Sequence, residues 1–498
     1  MPDEHKSRPP ENDMSMLAHE GVDAIDTRRA SIIETTNDSP APERRPVRVP
    51  ALVTTPIRDY AAIGNARCTA LISSAGSLDW LCLPRPDSPS VFGALLDKRG
   101  GRFRVGPSAG RSGTSCRRYL PDTNVLETTF TTPTGVARVT DFMPITDERT
   151  KSRELTADHE VVRIVECLEG RVEIEVVYDP RPDYARVTPE LRQHGKLGWF
   201  YAHGPHTLVF RSEIPVKRVP GGDGLIGRAL LGPGERRRMA FAFTQDGPAV
   251  VPALGEWADR QLAETASWWK GWIGGCTYKG PYAGAVRRSA LALKLMTYAP
   301  SGAVIAAPTT SLPEKIGGVR NWDYRFCWLR DSSMTLQALF DLGFQDEASA
   351  FMSWMLHATR LTWPQLQNVY DVFGRVDLKE QRLDHLEGYG RSRPVRIGNK
   401  AERQFQLDTY GEVIDAAFHF VRRGGRIDRG TARMLRGFGE TVIRRWTEPD
   451  DGIWEARNEP DQRTYSKVMC WVALDRLIRL ESLGVLELPV QLFDSHRR

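Results

Sequence analysis

Little in this 498-residue chain points to a membrane, an export route or a nucleic acid. No apolar run reaches the roughly 18 residues that a bilayer-spanning helix needs. The opening residues Met1-Pro2-Asp3-Glu4-His5-Lys6 lead into no apolar stretch of the kind a secretory signal carries. Cysteine is sparse: seven residues, at 68, 82, 116, 167, 276, 327 and 470, odd in number and without a C-x-x-C pair. That usage suits reduced thiols rather than a disulfide framework or a zinc site, and it predicts a soluble, cytoplasmic protein. Lysine is also scarce, 12 residues against 56 arginines, and the net charge is only +5. The densest basic cluster, Arg236-Arg237-Arg238, sits in a strand-like stretch beside Glu235 and reads as a solvated face. No helix-turn-helix, zinc-finger or RNA-binding pattern occurs, so no nucleic-acid partner is expected. His385 and Glu387 have no third ligand at sensible spacing, so no metal is expected, and nothing calls for an organic cofactor.

What is present divides along the chain, whose length predicts more than one domain. Residues 1–50 are rich in Pro, Asp, Glu, Ser, Thr and Arg with little apolar periodicity, the composition of a disordered extension. Over 51–250 the pattern is strand-like. Val172, Ile174 and Val176 alternate with Arg171, Glu173 and Glu175 after the Glu169-Gly170 turn, and similar short runs are separated by Gly/Pro turns. This predicts an antiparallel β-sandwich. A helical linker carrying Trp257, Leu262, Trp268 and Trp269 is expected over 251–280, ending near Gly271. From 281 to 498 the period changes to that of helices. Stripes such as Ala348, Phe351, Met355 and Ala358 predict about six helices up to Gly484, one of them over Glu412–Arg423 and stopped by Gly424-Gly425.

The chemistry-bearing residues lie in three separated stretches: Asn321 to Asp331, Glu387 to Asn399, and Gly452 to Glu455. Each crowds Trp or Tyr with Arg and a carboxylate. Aromatic faces stack on the C–H faces of a pyranose and forked Arg or carboxylate groups hold its hydroxyls, so these stretches point to a sugar site. Glycoside cleavage needs a carboxylic acid at the bridging oxygen. Glu455 is the candidate acid, with Trp454 as the desolvating wall that raises its pKa. Tyr324, Trp328 and Asp331 are spaced to project one way at a helix entry, beside Arg330. Arg393 and Arg396 flank Pro394 in a loop bounded by Gly390 and Gly398. Taken singly, each has an ordinary alternative: a loop start for Glu455, an ion-paired helix start for Arg330-Asp331, surface salt bridges for Arg393 and Arg396.

Together these motifs resemble glycoside hydrolase family fifteen, the bacterial glucoamylase and trehalase group. The likeness covers roughly residues 51 to 484 and includes Ile72 to Arg85, Ala307 to Glu314 and Tyr465 to Arg476. It implies an N-terminal β-sandwich followed by an (α/α)6 toroid, and inverting removal of a terminal glucose from a small α-glucoside or oligosaccharide. By motif match, Arg330 and Asp331 would grip glucose hydroxyls, Tyr324 would stand near the oxocarbenium charge, and Trp328 would form a wall. Arg393 would line the entrance and Glu455 would be the general acid. The family's second carboxylate lies well downstream of the acid, and this chain offers no counterpart before Arg498. The toroid is therefore expected to be incomplete and the short form impaired, with exposed inner helix faces that invite self-association. Residues 485–498, Gly390-Arg391 and Asp461-Gln462-Arg463 also depart from the family pattern. Two other readings stand beside this one: a non-catalytic sugar-binding protein, and a truncated gene product.

Overall fold

A computed structural model describes residues 47–48 and 54–498, apart from 109–112, 147, 253, 456 and 458. The extension expected over 1–50 therefore lies outside the described residues, save Val47 and Arg48. Strands up to Gln245 form two antiparallel sheets of nine and eight strands. In the larger sheet His159–Gly170 lies between Gly135–Phe142 and Arg236–Gln245. In the smaller one Val172–Asp179 lies between Arg102–Pro107 and Leu225–Leu231. Val172, Ile174 and Val176 are fully buried, as period-two alternation requires of a sheet with one face in a core. The two inner faces meet in an aromatic cluster where Tyr178 of one sheet stacks on Phe210 of the other, 4.0 Å between centroids and 7° between planes.

One ion pair ties the sheets together inside that core. Arg163 donates to Asp141 at 2.7 Å within its own sheet and to the carbonyl of Gly76, in the facing sheet, at 2.8 Å. Both side chains are wholly excluded from water. Burial of this kind is tolerable only because the guanidinium finds a carboxylate and carbonyl acceptors at once.

The outer face of the larger sheet is covered by helix α1 (Glu256–Gly274), where Ala258 packs on Val162, Ile164 and Ala240. Helix α1 continues through Gly271, three residues past the expected end, because Trp269 and Ile273 are buried and hold the last turn. Among the described residues six helices then fall between 281 and 484: α2 (Ala283–Met296), α3 (Leu329–Asp341), α4 (Gln345–Thr362), α5 (Asp408–Arg422), α6 (Arg429–Arg445) and α7 (Thr464–Ser482). A further helix, α8 (Val490–Arg497), seats the buried Phe493 in the same core. Helix α5 begins at Asp408, four residues before the expected start at Glu412. Gly411 explains the difference. It is a poor helix former, yet a Cβ there would stand 2.3 Å from the Met469 carbonyl, so close contact with α7 demands it. At the other end Gly424 and Gly425 close α5 as expected, their N–H groups donating to Val421 and Phe420 carbonyls at 2.9 and 3.0 Å.

Sandwich and helices are joined by buried polar contacts. Trp80 Nε1 donates to the Pro308 carbonyl at 2.7 Å, Asn124 Nδ2 to Leu291 O at 3.1 Å, and Thr69 Oγ1 to Leu295 O at 2.9 Å. Among the described residues no helix is long and apolar enough to cross a membrane.

One group is badly placed. Glu160 shares the helix-covered sheet face with Val162 and Ile164, is 3% exposed, and leaves its Oε1 without a hydrogen-bond partner. Burial pushes its carboxyl up to about 8. The folded protein therefore holds a proton there that the unfolded chain releases near its ordinary pKa, so stability falls as pH rises between those two values. Glu160→Gln is expected to raise unfolding free energy by about 1–3 kcal/mol near neutral pH and to change it little at about pH 4. Urea unfolding at the two pH values measures this; equal effects at both would refute it.

Candidate active site

The stretch Asn321 to Asp331 is shaped by a buried anchor. Asn321–Asp323 pairs with Thr310–Pro313, and Cys327-Trp328 pairs with Val369-Tyr370. Between them Arg325 turns inward. It donates to Asp323 through Nε and Nη2 at 2.8 and 2.7 Å, to Ser88 O at 2.7 Å and to Tyr184 Oη at 2.8 Å. Asp323 also accepts from the Gly398 amide at 3.1 Å. With its two neighbours fixed inside, Tyr324 is turned outward, 39% exposed, its ring 5.6 Å from that of Trp328. Helix α3 starts only at Leu329. Tyr324 and Trp328 therefore meet through this anchored turn, not through the helical spacing expected for them.

Trp328 is 2% exposed, and its Nε1 donates to Glu455 Oε1 at 2.5 Å. Arg330 Nη2 stands 3.5 Å from the same oxygen, and Gln406 Nε2 reaches it at 3.5 Å. The other arm of Arg330 lies 3.4 Å from Asp408 and 3.2 Å from Gln406 Oε1. Glu455 is held by a turn hitched to the segment before α5: Asp450 accepts from Leu407 N at 3.0 Å, and Asp451 from Phe405 N at 2.8 Å. Its own backbone is left-handed, with φ of 50°, which costs of order 1–3 kcal/mol in a non-glycine residue and is sustained here by the surrounding hydrogen bonds.

The electrostatics follow from burial against one cation. Desolvation raises the Glu455 carboxyl above its ordinary value, while the Trp328 and Gln406 hydrogen bonds and Arg330 oppose the rise. Asp331, exposed at the first turn of α3, and Asp408, fully buried, are likewise raised by desolvation and held down by Arg330. Burial first, and the Glu455 charge second, raise Tyr324.

The structure thus gathers Tyr324, Trp328, Arg330, Asp331 and Glu455. Trp454 does not act as the expected wall: it is 86% exposed, because the left-handed turn at Glu455 swings it outward, and Trp328 desolvates the carboxyl instead. Arg393 is exposed in a loop tied to the anchored stretch by Asn321 Nδ2, which donates to Pro394 O at 3.2 Å. Arg396 is buried, pairing with Glu380 at 3.2 Å and lying over the Trp322 ring. His385 bonds the Tyr184 carbonyl at 2.8 Å. Sequence reasoning missed Gln406, Asp408 and Glu412. Asp408 and Glu412 stand one turn apart on α5, and Glu412 accepts from Tyr465 Oη at 2.5 Å with its carboxyl raised to about 7 by burial. Their spacing was the available signal, hidden by starting the helix at Glu412.

A sequence model of glycosyl hydrolases family 15 matches residues 280–494, and one of the trehalase-like N-terminal region matches 43–206. Trehalase of Mycolicibacterium smegmatis is 41% identical over 451 residues, covering 86% of this chain and 66% of that protein. Trehalase of Mycobacterium tuberculosis is 39% identical, with 85% and 65% covered. Trehalase of Thermoplasma volcanium is 35% identical over 449 residues, with 88% and 69% covered. The chain belongs to glycosyl hydrolase family 15. It spans 66% and 65% of the length of the two mycobacterial relatives. The family 15 match takes in α3 to α7 and with them Tyr324, Arg330 and Glu455, while the trehalase-like match lies in the sandwich that anchors Arg325.

Removing the shared cation should expose its role. Arg330→Met leaves the buried Asp408 without a counter-charge, which is expected to lower stability by about 2–4 kcal/mol at neutral pH. The unpaired carboxyl is pushed further above its unfolded pKa, so the loss should shrink towards about pH 5 as it protonates. Denaturation at both pH values checks this; a loss independent of pH would mean that the guanidinium serves packing alone.

Proposed function

We propose that the chain takes the terminal glucose of an α-glucoside, trehalose or a related oligosaccharide, against the side chains around Arg330, with Glu455 protonating the bridging oxygen. The observation that carries this reading is the meeting of the Trp328 indole and the Arg330 guanidinium at one carboxyl that is itself desolvated. Supporting it, the matched relatives are named trehalases.

The roles follow from position. Trp328 holds one Glu455 oxygen at 2.5 Å, which leaves the other to carry and deliver the proton. A carboxyl raised by burial keeps that proton nearer neutrality, as a general acid requires. Arg330 and Asp331 offer a fork and a carboxylate to sugar hydroxyls, and the Tyr324 ring stands where positive charge develops at the anomeric carbon. Arg393 and the exposed Trp454 serve the entrance.

Inversion also needs a carboxylate on the far side to activate water. Of the described carboxylates around Arg330, Asp408 is committed to the guanidinium, Asp331 to the substrate and Glu412 to the Tyr465 hydroxyl. The reading therefore includes slow turnover by this chain alone, since lack of a general base costs about 10²–10⁴-fold in rate. The reaction is placed in the cytoplasm, in keeping with unpaired cysteines.

Glu455→Gln is expected to lower kcat on trehalose or maltose by about 10²–10⁴-fold while leaving binding by calorimetry within a few-fold. Unchanged turnover in this variant would remove Glu455 as the acid; binding without turnover in the parent protein would favour the non-catalytic reading. The Trp328 hydrogen bond favours the charged form, so Trp328→Phe should raise the Glu455 pKa. Because the protonated acid is the working form, the alkaline limb of kcat/KM should then move to higher pH; a move to lower pH would contradict the assignment.

A further inference from the structure

A recess of about 420 Å³ lies between the sandwich and the helical part and shares no lining residue with the Glu455 constellation. Arg85, Thr156, His159 and Phe243 line it from the sandwich, and Tyr298 and Phe373 from the helical side. Its volume falls in the range of small-molecule sites, about 300–1,000 Å³.

The lining chemistry narrows what it would take. Phe373 is 40% exposed, with the Tyr298 ring edge-on at 5.9 Å and the Arg85 guanidinium 5.0 Å from its centroid. Of the charged groups at the wall, Arg85 pairs with Asp87 at 2.8 Å and Asp158 with Lys151 at 2.6 Å and Arg67 at 3.5 Å, while the Asp246 carboxylate accepts from the Gln245 amide at 3.2 Å. Burial lowers His159 to about 4, so it is neutral near pH 7. With Arg85 already paired, the site has no strong call for an anion. What it does offer is aromatic surface and hydrogen-bonding groups, the exposed Asp246 carboxylate among them. Aromatic surface beside a carboxylate acceptor suits a ligand with apolar faces and many hydroxyls.

We infer that this recess is a binding site for a small neutral saccharide, a mono- or disaccharide, separate from the site at Glu455. The same walls support the first site. Arg85 runs directly into Pro86 and Ser88, and the Ser88 carbonyl accepts from Arg325 at 2.7 Å. Phe373 follows Tyr370, which pairs in a short ladder with Cys327 next to Trp328. A sugar bound here bears on both segments that hold Tyr324 and Trp328, so the site is suited to an effector.

Calorimetric titration of the full 498-residue chain with glucose and with trehalose tests this. Asp331→Ala disables the first site at an exposed position, and saccharide binding is expected to persist in that variant. In the Asp331→Ala background, Ala157→Trp fills the recess and Phe373→Ala removes an aromatic face; at least one, with an unaltered melting curve, should weaken the persisting binding by about tenfold or more. No binding in Asp331→Ala, or binding unchanged by both recess variants, would overturn the inference. Sugar binding lost in Asp331→Ala but kept when Ala157→Trp stands alone would place saccharide at Glu455 only, leaving the catalytic reading intact. Binding that persists while Glu455→Gln has no effect on turnover would do the reverse.

Discussion

The buried pair Asp323–Arg325 is the constraint on which the candidate active site depends. Asp323 sits beside the loop at Gly398 and Asn399, accepting from the Gly398 amide, while its own carbonyl accepts from Asn399 Nδ2 at 3.1 Å. Arg325 reaches into the sandwich at Ser88 and Tyr184. One salt bridge therefore clamps three segments distant in sequence. Charges this deeply buried weaken a fold unless their hydrogen bonds are satisfied, and here both partners are almost fully used. The effect is positional: with residues on either side locked inside, Tyr324 has one direction left to face.

Within the site, a single guanidinium sets the balance. Glu455 and Asp408 both lose hydration, and desolvation is the largest influence on each. Arg330 opposes that rise in both, and holds down the neighbouring Asp331 as well. A carboxylate buried alone would be protonated and inert as an electrostatic partner, and one fully paired would release its proton too readily for acid catalysis. Sharing one cation among several carboxylates leaves each between those extremes. The Trp328 indole then distinguishes Glu455 from the others by fixing one of its oxygens. Glu412, raised to about 7 behind Asp408, can stay neutral near pH 7, which avoids a further negative charge in the same cluster.

The sandwich strands and the six helices were legible because their signals are local periodicities enforced by burial, as at Val172, Ile174 and Val176, or at Ala348, Phe351 and Met355. The residues of the site were legible for another reason: Trp, Tyr, Arg and carboxylate crowd into short stretches. What escaped was set by tertiary contact. Gly411 hid the first turn of α5, and with it Asp408, because the close approach of α7 that requires a glycine leaves no trace in local pattern. The direction of Trp454 escaped for a similar reason. Adjacent residues on an extended chain point apart, and the left-handed turn at Glu455 decides which of the two faces inward. Trp454 is the neighbour of Glu455 in sequence, whereas Trp328, 127 positions before Glu455, occupies that place in space.

The excess of arginine over lysine, which net charge alone leaves unexplained, has a structural reason in these same anchors. Arg163 spans two sheets by donating to Asp141 and to the Gly76 carbonyl, and Arg325 links the helical part to the sandwich through Asp323, Ser88 and Tyr184. Arg288 donates to the Thr123 carbonyl at 2.8 Å across the joint between α2 and the sandwich, and Arg396 to the Val319 carbonyl at 2.8 Å while pairing with Glu380. Each of these tasks requires several donors in a plane, aimed at acceptors on different segments. An ammonium group, compact and strongly hydrated, carries its three donors on one nitrogen and cannot reach acceptors spread over separate segments as a planar fork does. A chain whose helical and strand domains are sewn together through side-chain-to-carbonyl bonds is therefore bound to arginine at those positions, and Arg330, reaching three side chains at once, extends the same device into the active site.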